Sequence, residues 1–488
     1  MKELLLPSFL ALFVLVFVFL VIALMQRPHL KSAEDFFLMS KNLKSRNIFS
    51  STFAQGMSFA TVFIAFLQLA NEYKGALIWA AVTYAAGWFF FSFFNKKISS
   101  ISLDKDTGTI HSYLGDRYGN VWLTRIASIA TSIGFVGILS TELIVGSEIF
   151  SKIGLGDDET MYYYALFFLA ACVIAYSSIG GFRAVIKTDS LQAGGIFVSI
   201  LILIVFAVII VQKNGAILEE AINDTFDFKP ITIRLLLNLL LINTLFPIVD
   251  MSAWQRIIAS ENAKTGKKAT IAAAFVFLTT WLIIVVVSII FSKVFNTTSS
   301  DGGIIEILKY INSVFNNYPV VFFSLSFLLF AGFISAMLST SDSFLISTSH
   351  TISMDISKSR GIKWLTIIGK ARLQIIVSGI VGVGLSLLLY KLGFKIVDLV
   401  FAVYGSTLSL FPVTLFALLY KKDLKHLKKW SVVSVFFGLL FSWINSFLAI
   451  MIVDSFFFDT QNSPIIAIII AALVLSIGVL AKYKNHKL

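Results

Sequence analysis

Asp189 is a charge in a setting that rarely tolerates one. It lies in Tyr176-Ser-Ser-Ile-Gly-Gly-Phe-Arg-Ala-Val-Ile-Lys-Thr-Asp-Ser-Leu-Gln192, where a double glycine and a basic turn open a long apolar segment. An ionisable side chain within a membrane span is costly, so it marks a functional candidate with a partner to be found. Asp342 is a second one. It follows Ser335-Ala-Met-Leu-Ser339-Thr340-Ser341 and precedes Ser343 and Ser347-Thr348-Ser349. Hydroxyls three and four residues apart share one helix face. Hydroxyl and carbonyl oxygens with one or two carboxylates suit a hard cation, whereas thiolates or imidazoles would suit softer metals. If Asp189 and Asp342 stand close together, their repulsion raises one pKa or recruits a cation. The alternative is that both reach the cytoplasmic headgroups and pair with Lys187 or Arg183. Glu142 and Asp250 are two further carboxylates within apolar segments, and the sequence leaves their roles open.

The elements that must hold these residues are membrane helices. Hydrophobic residues make up 57% of the chain and charged residues 14%, with a mean hydropathy of +0.88. A soluble domain carries about 25% charged residues. Apolar stretches of about 20 residues are each long enough to span a bilayer. Thirteen are read, near 7–26, 47–70, 75–95, 119–151, 161–179, 184–212, 231–255, 267–294, 317–350, 364–391, 395–420, 430–453 and 464–482. The first is taken as a retained helix, because it lacks a small-residue cleavage site and a basic segment follows it. Two connecting segments predict short helices outside the spans, Thr109–Tyr118 and Ile304–Phe315. The whole chain, 1–488, reads as one transmembrane domain.

The net charge of +12 is distributed as a topology signal. Alternate loops carry the basic residues, among them Arg27, Lys31, Lys41, Lys96, Lys105, Arg183, Lys264, Lys358, Arg360, Lys363, Lys421 and Lys487. The intervening loops carry Asp157, Asp158, Glu159, Glu219, Asp224, Asp301, Asp454 and Asp459. Basic loops face the cytoplasm, which puts the N-terminus outside and the C-terminus inside. Nucleic acid is not needed to explain the charge. The lone Cys172 makes no intrachain disulfide, and no His or Cys spacing suggests a metal site. No nucleophile–base pair appears, so an enzyme is not expected.

Two segments five spans apart are interrupted. Phe53-Ala54-Gln55-Gly56-Met57-Ser58-Phe59-Ala60-Thr61 gathers polar residues around a glycine, and Asn243-Thr244-Leu-Phe246-Pro247 places a proline at mid-depth. Matched interruptions in two repeats point to a transporter binding site, where unwound backbone exposes carbonyls to a cation. Taken singly, each is equally a kink with small-residue packing.

With these residues assembled, the chain resembles the sodium/solute symporter family, which includes bacterial sodium–galactose, sodium–sialic acid and sodium–proline transporters. The most specific match is Ile179-Gly-Gly-Phe-Arg-Ala-Val-Ile-Lys-Thr-Asp-Ser-Leu-Gln192, followed by Trp254-Gln-Arg256 and Ala336-Met-Leu-Ser-Thr340. The resemblance implies an all-α integral membrane protein with a LeuT-like core. That core has two inverted five-helix repeats, near 47–212 and 231–420, with one extra helix before (7–26) and two after (430–453 and 464–482). It implies a co-transported sodium ion held by Ala54, Met57, Ala336, Ser339 and Thr340. A second cation would take Asp189, Ser339, Asp342 and Ser343, where Asp342 replaces a hydroxyl. The positions that meet solute would be Ser58, Thr61, Thr83, Asn243 and Phe135, with Phe246 as inner gate and Phe277 at a further sugar-ligand position.

Phe135 stands where the sialic acid transporter has an arginine. A buried anion without a cationic partner is expensive, so a neutral or zwitterionic solute is expected, such as a sugar, polyol, amino acid or vitamin. The expected function is sodium-coupled symport by alternating access in a bacterial inner membrane. The alternatives are a proton-coupled carrier of the same fold and a solute sensor that does not transport. The partners are then sodium ions, a small solute and the lipid bilayer, with a monomer as the simplest assembly.

Overall fold

The computed structural model describes residues 2–101, 108–154, 159–229, 231–299, 301–356, 366–392, 396–452 and 458–485. Several loop charges named above, Lys105, Asp157, Asp158, Lys358, Arg360, Lys363, Asp454 and Lys487, lie outside these residues. The described residues are overwhelmingly helical, and none belongs to a named strand. Ten helical runs are long and apolar enough to cross a membrane, or up to eleven with the bent pair Ile233–Val249 and Met251–Ile258 taken as one span.

This count is lower than thirteen because two of the runs are longer than one crossing needs. Glu159–Lys213 is a continuous run of 55 residues, roughly 80 Å at the helical rise, against a hydrocarbon core of about 30 Å. Its helix breaks at Gly181, with φ 58° and ψ −159°. That conformation is open to glycine and closed to residues with a Cβ. A Cβ there would also lie 2.8 Å from the Phe36 carbonyl. The double glycine therefore ends one helix and starts the one carrying Asp189. The second long run, Phe59–Ser92, is turned at Lys74, which sits at φ 45°.

The centre of the bundle is Pro319–Thr351. Every residue from 332 to 351 is buried. A helix hidden on all sides belongs to a core, and here its seryl and threonyl side chains are hidden with it. Outer helices instead turn large side chains outward, including Phe17 at 68% exposure and Leu201 at 60%, as a lipid-facing surface requires.

Both short helices form. Ile110–Tyr118 starts with Thr109 as its cap, and Ile304–Val314 buries one apolar face. The first is tied to the end of the central helix by a buried pair, with His111 Nδ1 lying 3.0 Å from Asp355 Oδ2.

Candidate functional site

The helix Ser45–Gly56 stops in mid-bundle. Met57 leaves helical geometry at ψ 47°, and Ser58 at ψ 130° caps a new segment, its hydroxyl accepting from Thr61 N–H at 3.0 Å. A π-helical turn, Phe59–Ala65, then leads into Phe66–Tyr73. Gly56 lies so close to Phe277 that an added Cβ would sit 2.4 Å from its ring.

The second interruption differs from the expectation. Pro247 stays inside the helix Thr244–Val249. The chain bends by 41° at Asp250, whose carboxylate caps the following helix, Met251–Ile258. A π-helical turn, Leu239–Asn243, precedes Thr244. Proline lacks an N–H, so the Asn243 carbonyl loses its ladder partner without the chain changing direction.

At the first break the structure brings together most of the cation candidates. Thr340 Oγ1 donates to the Gln55 carbonyl at 3.0 Å, joining the central helix to the last turn before the gap. Ser339 Oγ donates to Asp189 Oδ1 at 2.7 Å, and Ser51 Oγ donates to Asp189 Oδ2. Ala54, Met57, Ala336, Ser339 and Thr340 are all buried.

The partner of Asp189 is Arg256, and neither Lys187 nor Arg183 takes that place. Arg256 Nη2 stands 3.6 Å from Asp189 Oδ2. The guanidinium also donates to Ser51 Oγ at 2.7 Å, Ser343 Oγ at 2.7 Å and the Ser252 carbonyl at 3.0 Å. Asp342 lies beside this group and accepts from the Tyr176 hydroxyl at 2.7 Å, while its Oδ1 has no partner in the structure. Asp189 and Asp342 are both fully buried.

Next to the cation candidates is a cavity with about 120 Å³ free. Ser58, Thr61, Asn243, Phe246 and Thr340 line it, as do Tyr84, Trp281 and Tyr404. Tyr84 and Trp281 stack at 4.1 Å, and Phe246 meets Tyr404 edge-on at 4.7 Å. Thr83 stands behind the lining, where its hydroxyl accepts from Asn243 Nδ2 at 3.2 Å. Phe135 does not reach the cavity wall. It is fully buried and packs on Phe344, itself a lining residue, at 4.5 Å.

Three polar lining groups were not assigned to the site by the sequence, two amides and Asp250, whose role it left open. Asn238 lines the cavity, is 1% exposed, and has no partner for either its amide oxygen or its nitrogen. Gln55 also lines it, with Oε1 unpartnered, while its Nε2 donates to Asp250 Oδ2 at 3.4 Å. Asp250 lines the cavity too. Nothing in the sequence separates Asn238 from any other polar residue in an apolar helix. Buried polar groups are normally paired, so orphaned amides at a cavity wall mark where a bound molecule would find hydrogen bonds.

Known proteins place this arrangement. The chain superposes on a substrate-bound, outward-open Na+-coupled sialic acid symporter with a TM-score of 0.72 at 17% identity, covering 97% of this chain and 98% of that one. A mutant manganese transporter of Eremococcus coleocola gives 0.55 at 11% identity, covering 94% and 97%. These likenesses show the fold, a LeuT-like all-α membrane architecture. In sequence, a sodium/pantothenate symporter of Haemophilus influenzae is 28% identical over 162 residues, 32% of this chain and 32% of its own. The Escherichia coli sodium/pantothenate symporter is 24% identical over 204 residues, 42% of this chain and 41% of its own. Solute carrier family 5 member 4 of Rattus norvegicus is 29% identical over 143 residues, 29% of this chain and 20% of its own. The aligned stretches thus span between a fifth and two-fifths of these relatives. The family model of the sodium:solute symporter family matches residues 36–425, most of the chain, and the protein belongs to that family.

Proposed function

We propose that the protein is a sodium-coupled symporter that carries a small organic solute without net negative charge across a membrane by alternating access. The observation that carries this reading is the Thr340–Gln55 hydrogen bond. It fastens the hydroxyl-rich central helix to a helix end where the regular ladder stops and the Ala54 carbonyl is left with one long bond, from the Met57 N–H at 3.3 Å, directly beside a cavity.

A sodium ion fits this donor set, which offers main-chain oxygens of Ala54, Met57 and Ala336 and the hydroxyls of Ser339 and Thr340. Bound there, sodium holds the broken helix against the central helix and favours the conformation that accepts solute. Solute then meets Ser58, Thr61 and Asn243, backed by Thr83, with Phe246 and Tyr404 closing the inner side. Phe135 acts from behind Phe344. Asp189, Asp342 and Ser343 form the place for a second cation. Sodium and solute raise each other's affinity, because coupling of this kind is reciprocal. The membrane potential adds about 2.3 kcal/mol per charge per 100 mV.

The chain forms one transmembrane domain of thirteen crossings, with Glu159–Lys213 divided at Gly181. It resides as a monomer in a bacterial inner membrane, with its N-terminus outside and its C-terminus in the cytoplasm.

The test is thermal stability of the purified protein against a panel of solutes, in sodium chloride and in potassium chloride at fixed pH and ionic strength. A ligand that binds the folded state raises the melting temperature by mass action. Solute stabilisation that is much larger in sodium supports coupled binding. Equal stabilisation in both salts would sink the sodium assignment and favour a proton-coupled carrier or a sensor.

A further inference from the structure

Carboxyl groups outnumber basic side chains in and behind the cavity wall: Asp250 lines it, and Glu142 stands one hydrogen bond behind the lining Ser58. Glu142, Asp189, Asp250 and Asp342 are all exposed by 1% or less. Among the described residues of this core, Arg256 is the one buried arginine or lysine that faces them, and its ion pair goes to Asp189. Among the described residues, no lysine, arginine or histidine lines the cavity. A sodium ion at the carbonyl–hydroxyl site still leaves the carboxylates in excess.

Glu142 holds a particular position in this excess. It projects from Val121–Gly154 onto the start of the second half of the broken helix. Its Oε1 accepts from the Ser58 hydroxyl, and its Oε2 accepts from the Ala60 N–H at 3.4 Å. The first N–H groups of a helix have no partners within it and carry partial positive charge. They are where a free carboxylate would be held, and here a carboxylate of the protein already holds them.

We infer that Glu142 sets the solute class: it fills the anion position at the broken helix, so the cavity takes an amine- or ammonium-bearing solute that has no carboxylate of its own. This rests on the reading of the cavity as the solute site. A carboxylated solute would enter beside Asp250, which lines the cavity, with Glu142 one hydrogen bond behind the lining Ser58 and no basic side chain among the described lining residues to neutralise it, and like charges in a low-dielectric site repel strongly. A cation meets the reverse. Asp250 lines the cavity it would enter, together with the aromatic side chains Tyr84, Trp281 and Tyr404, and aromatic rings attract cations. The unpartnered amide of Asn238 and the unpartnered Oε1 of Gln55, both residues at least nine-tenths buried, supply hydrogen bonds to an amine or hydroxyl.

The experiment uses the full chain and matched pairs of probes that differ in a carboxylate. These are choline with glycine betaine, ethanolamine with glycine, and panthenol with pantothenate. Thermal stabilisation and sodium-driven uptake into proteoliposomes are measured for each, in sodium and in potassium. The expected result is that an amine or ammonium probe binds, and that its carboxylated partner is at least about tenfold weaker, a difference of ~1.4 kcal/mol. In Glu142→Gln, which keeps an acceptor for Ser58 or Ala60 N–H, that ratio falls toward one. Should this variant fail to accumulate, Glu142→Asp keeps the charge and is expected to retain the preference.

A carboxylated probe, pantothenate included, that binds as well as its partner overturns the inference. So does a panel in which no amine or ammonium probe binds at millimolar concentration. An unchanged ratio in Glu142→Gln removes Glu142 as its cause. Amine binding that is equal in sodium and potassium leaves the solute class standing and instead removes the sodium coupling.

Discussion

Thr340 Oγ1 and the Gln55 carbonyl, 3.0 Å apart, are the direct hydrogen bond between the hydroxyl-rich helix and the last turn before the chain breaks. A residue with the same shape and no hydroxyl at position 340 removes that bond and one oxygen of the proposed sodium site. Thr340→Val is therefore expected to fold and to need at least about tenfold more sodium for half-maximal solute uptake, matching ~1.4 kcal/mol of lost binding. Combined with Ser339→Ala, it should abolish sodium-stimulated uptake. The check is a sodium titration of uptake in proteoliposomes, and a double variant with full sodium stimulation would remove the site assignment.

Arg256 and Asp189 separate folding from function in the same neighbourhood. Arg256 offsets a buried carboxylate and donates to two seryl hydroxyls and a carbonyl. Removing one partner of a buried pair leaves an uncompensated charge, at a cost of about 3–5 kcal/mol. Arg256→Gln should thus lower thermal stability and yield sharply. Asp189→Asn keeps one acceptor oxygen, enough for Ser51 or Ser339 but not both, and Asp342 still faces Arg256, so its main effect should be on sodium affinity or transport rate. Expression, melting temperature and sodium dependence measured together distinguish the two. An Asp189→Asn variant with unaltered sodium dependence would count against its role.

How much of this was legible beforehand depends on the range of the interaction. The double glycine before Asp189 announced a break because the signal is local: the combination of φ 58° and ψ −159° found at Gly181 lies in a region essentially reserved for glycine. The hydroxyl run on the central helix was equally plain from its spacing. The pairing of Asp189 with Arg256 was not. Trp254-Gln-Arg256 stood out as a motif, but nothing local says that its guanidinium turns toward a helix from the other repeat. The bend at Asp250 was placed at Pro247 because proline is the stronger local signal. In the structure the chain absorbs the proline and turns where a capping aspartate can restart the helix. Phe135 was carried into the solute site by resemblance, and it packs behind Phe344 instead. Asn238 and the free Gln55 oxygen became visible only once the cavity was in place.

In the acidic loops, Asp224 and Asp301 anchor ion pairs whose pH dependence can be worked out. Burial works against the charged form of Asp224, but hydrogen bonds from Lys293 and Lys74 outweigh it and hold its pKa below the usual value. Asp301 behaves likewise, with burial opposed and outweighed by Lys152 at 2.9 Å. Folded pKa values below the unfolded ones mean stability that is fully present above the unfolded pKa, near 3.9. It is lost as pH falls through the folded values. Stability should therefore be flat with respect to these groups from pH 7 to about 5 and decline below about pH 4. Lys293→Met should weaken the decline by taking away the strongest partner of Asp224. A melting-temperature series against pH for both proteins decides this, and parallel curves would show that the pair contributes nothing.

The two glycines of the aspartate helix make a final, paired prediction. At Gly181 an alanine faces two obstacles at once. The backbone sits at φ 58° and ψ −159°, a region essentially reserved for glycine and worth about 1–3 kcal/mol of strain to other residues. The new Cβ would also stand 2.8 Å from the Phe36 carbonyl, which is backbone and cannot swing away. At Gly194, within the helix that follows this break, an added Cβ meets nothing within 4 Å, and alanine is the better helix former by about 1 kcal/mol. Gly181→Ala should therefore lower the melting temperature and Gly194→Ala should keep or raise it. Because Gly181 sets the angle at which the helix carrying Asp189 leaves its predecessor, Gly181→Ala should also weaken sodium dependence in whatever fraction folds. If the two variants melt alike, the turn at Gly181 is not held in the left-handed conformation, and the placement of Asp189 against Ser339 must have another cause.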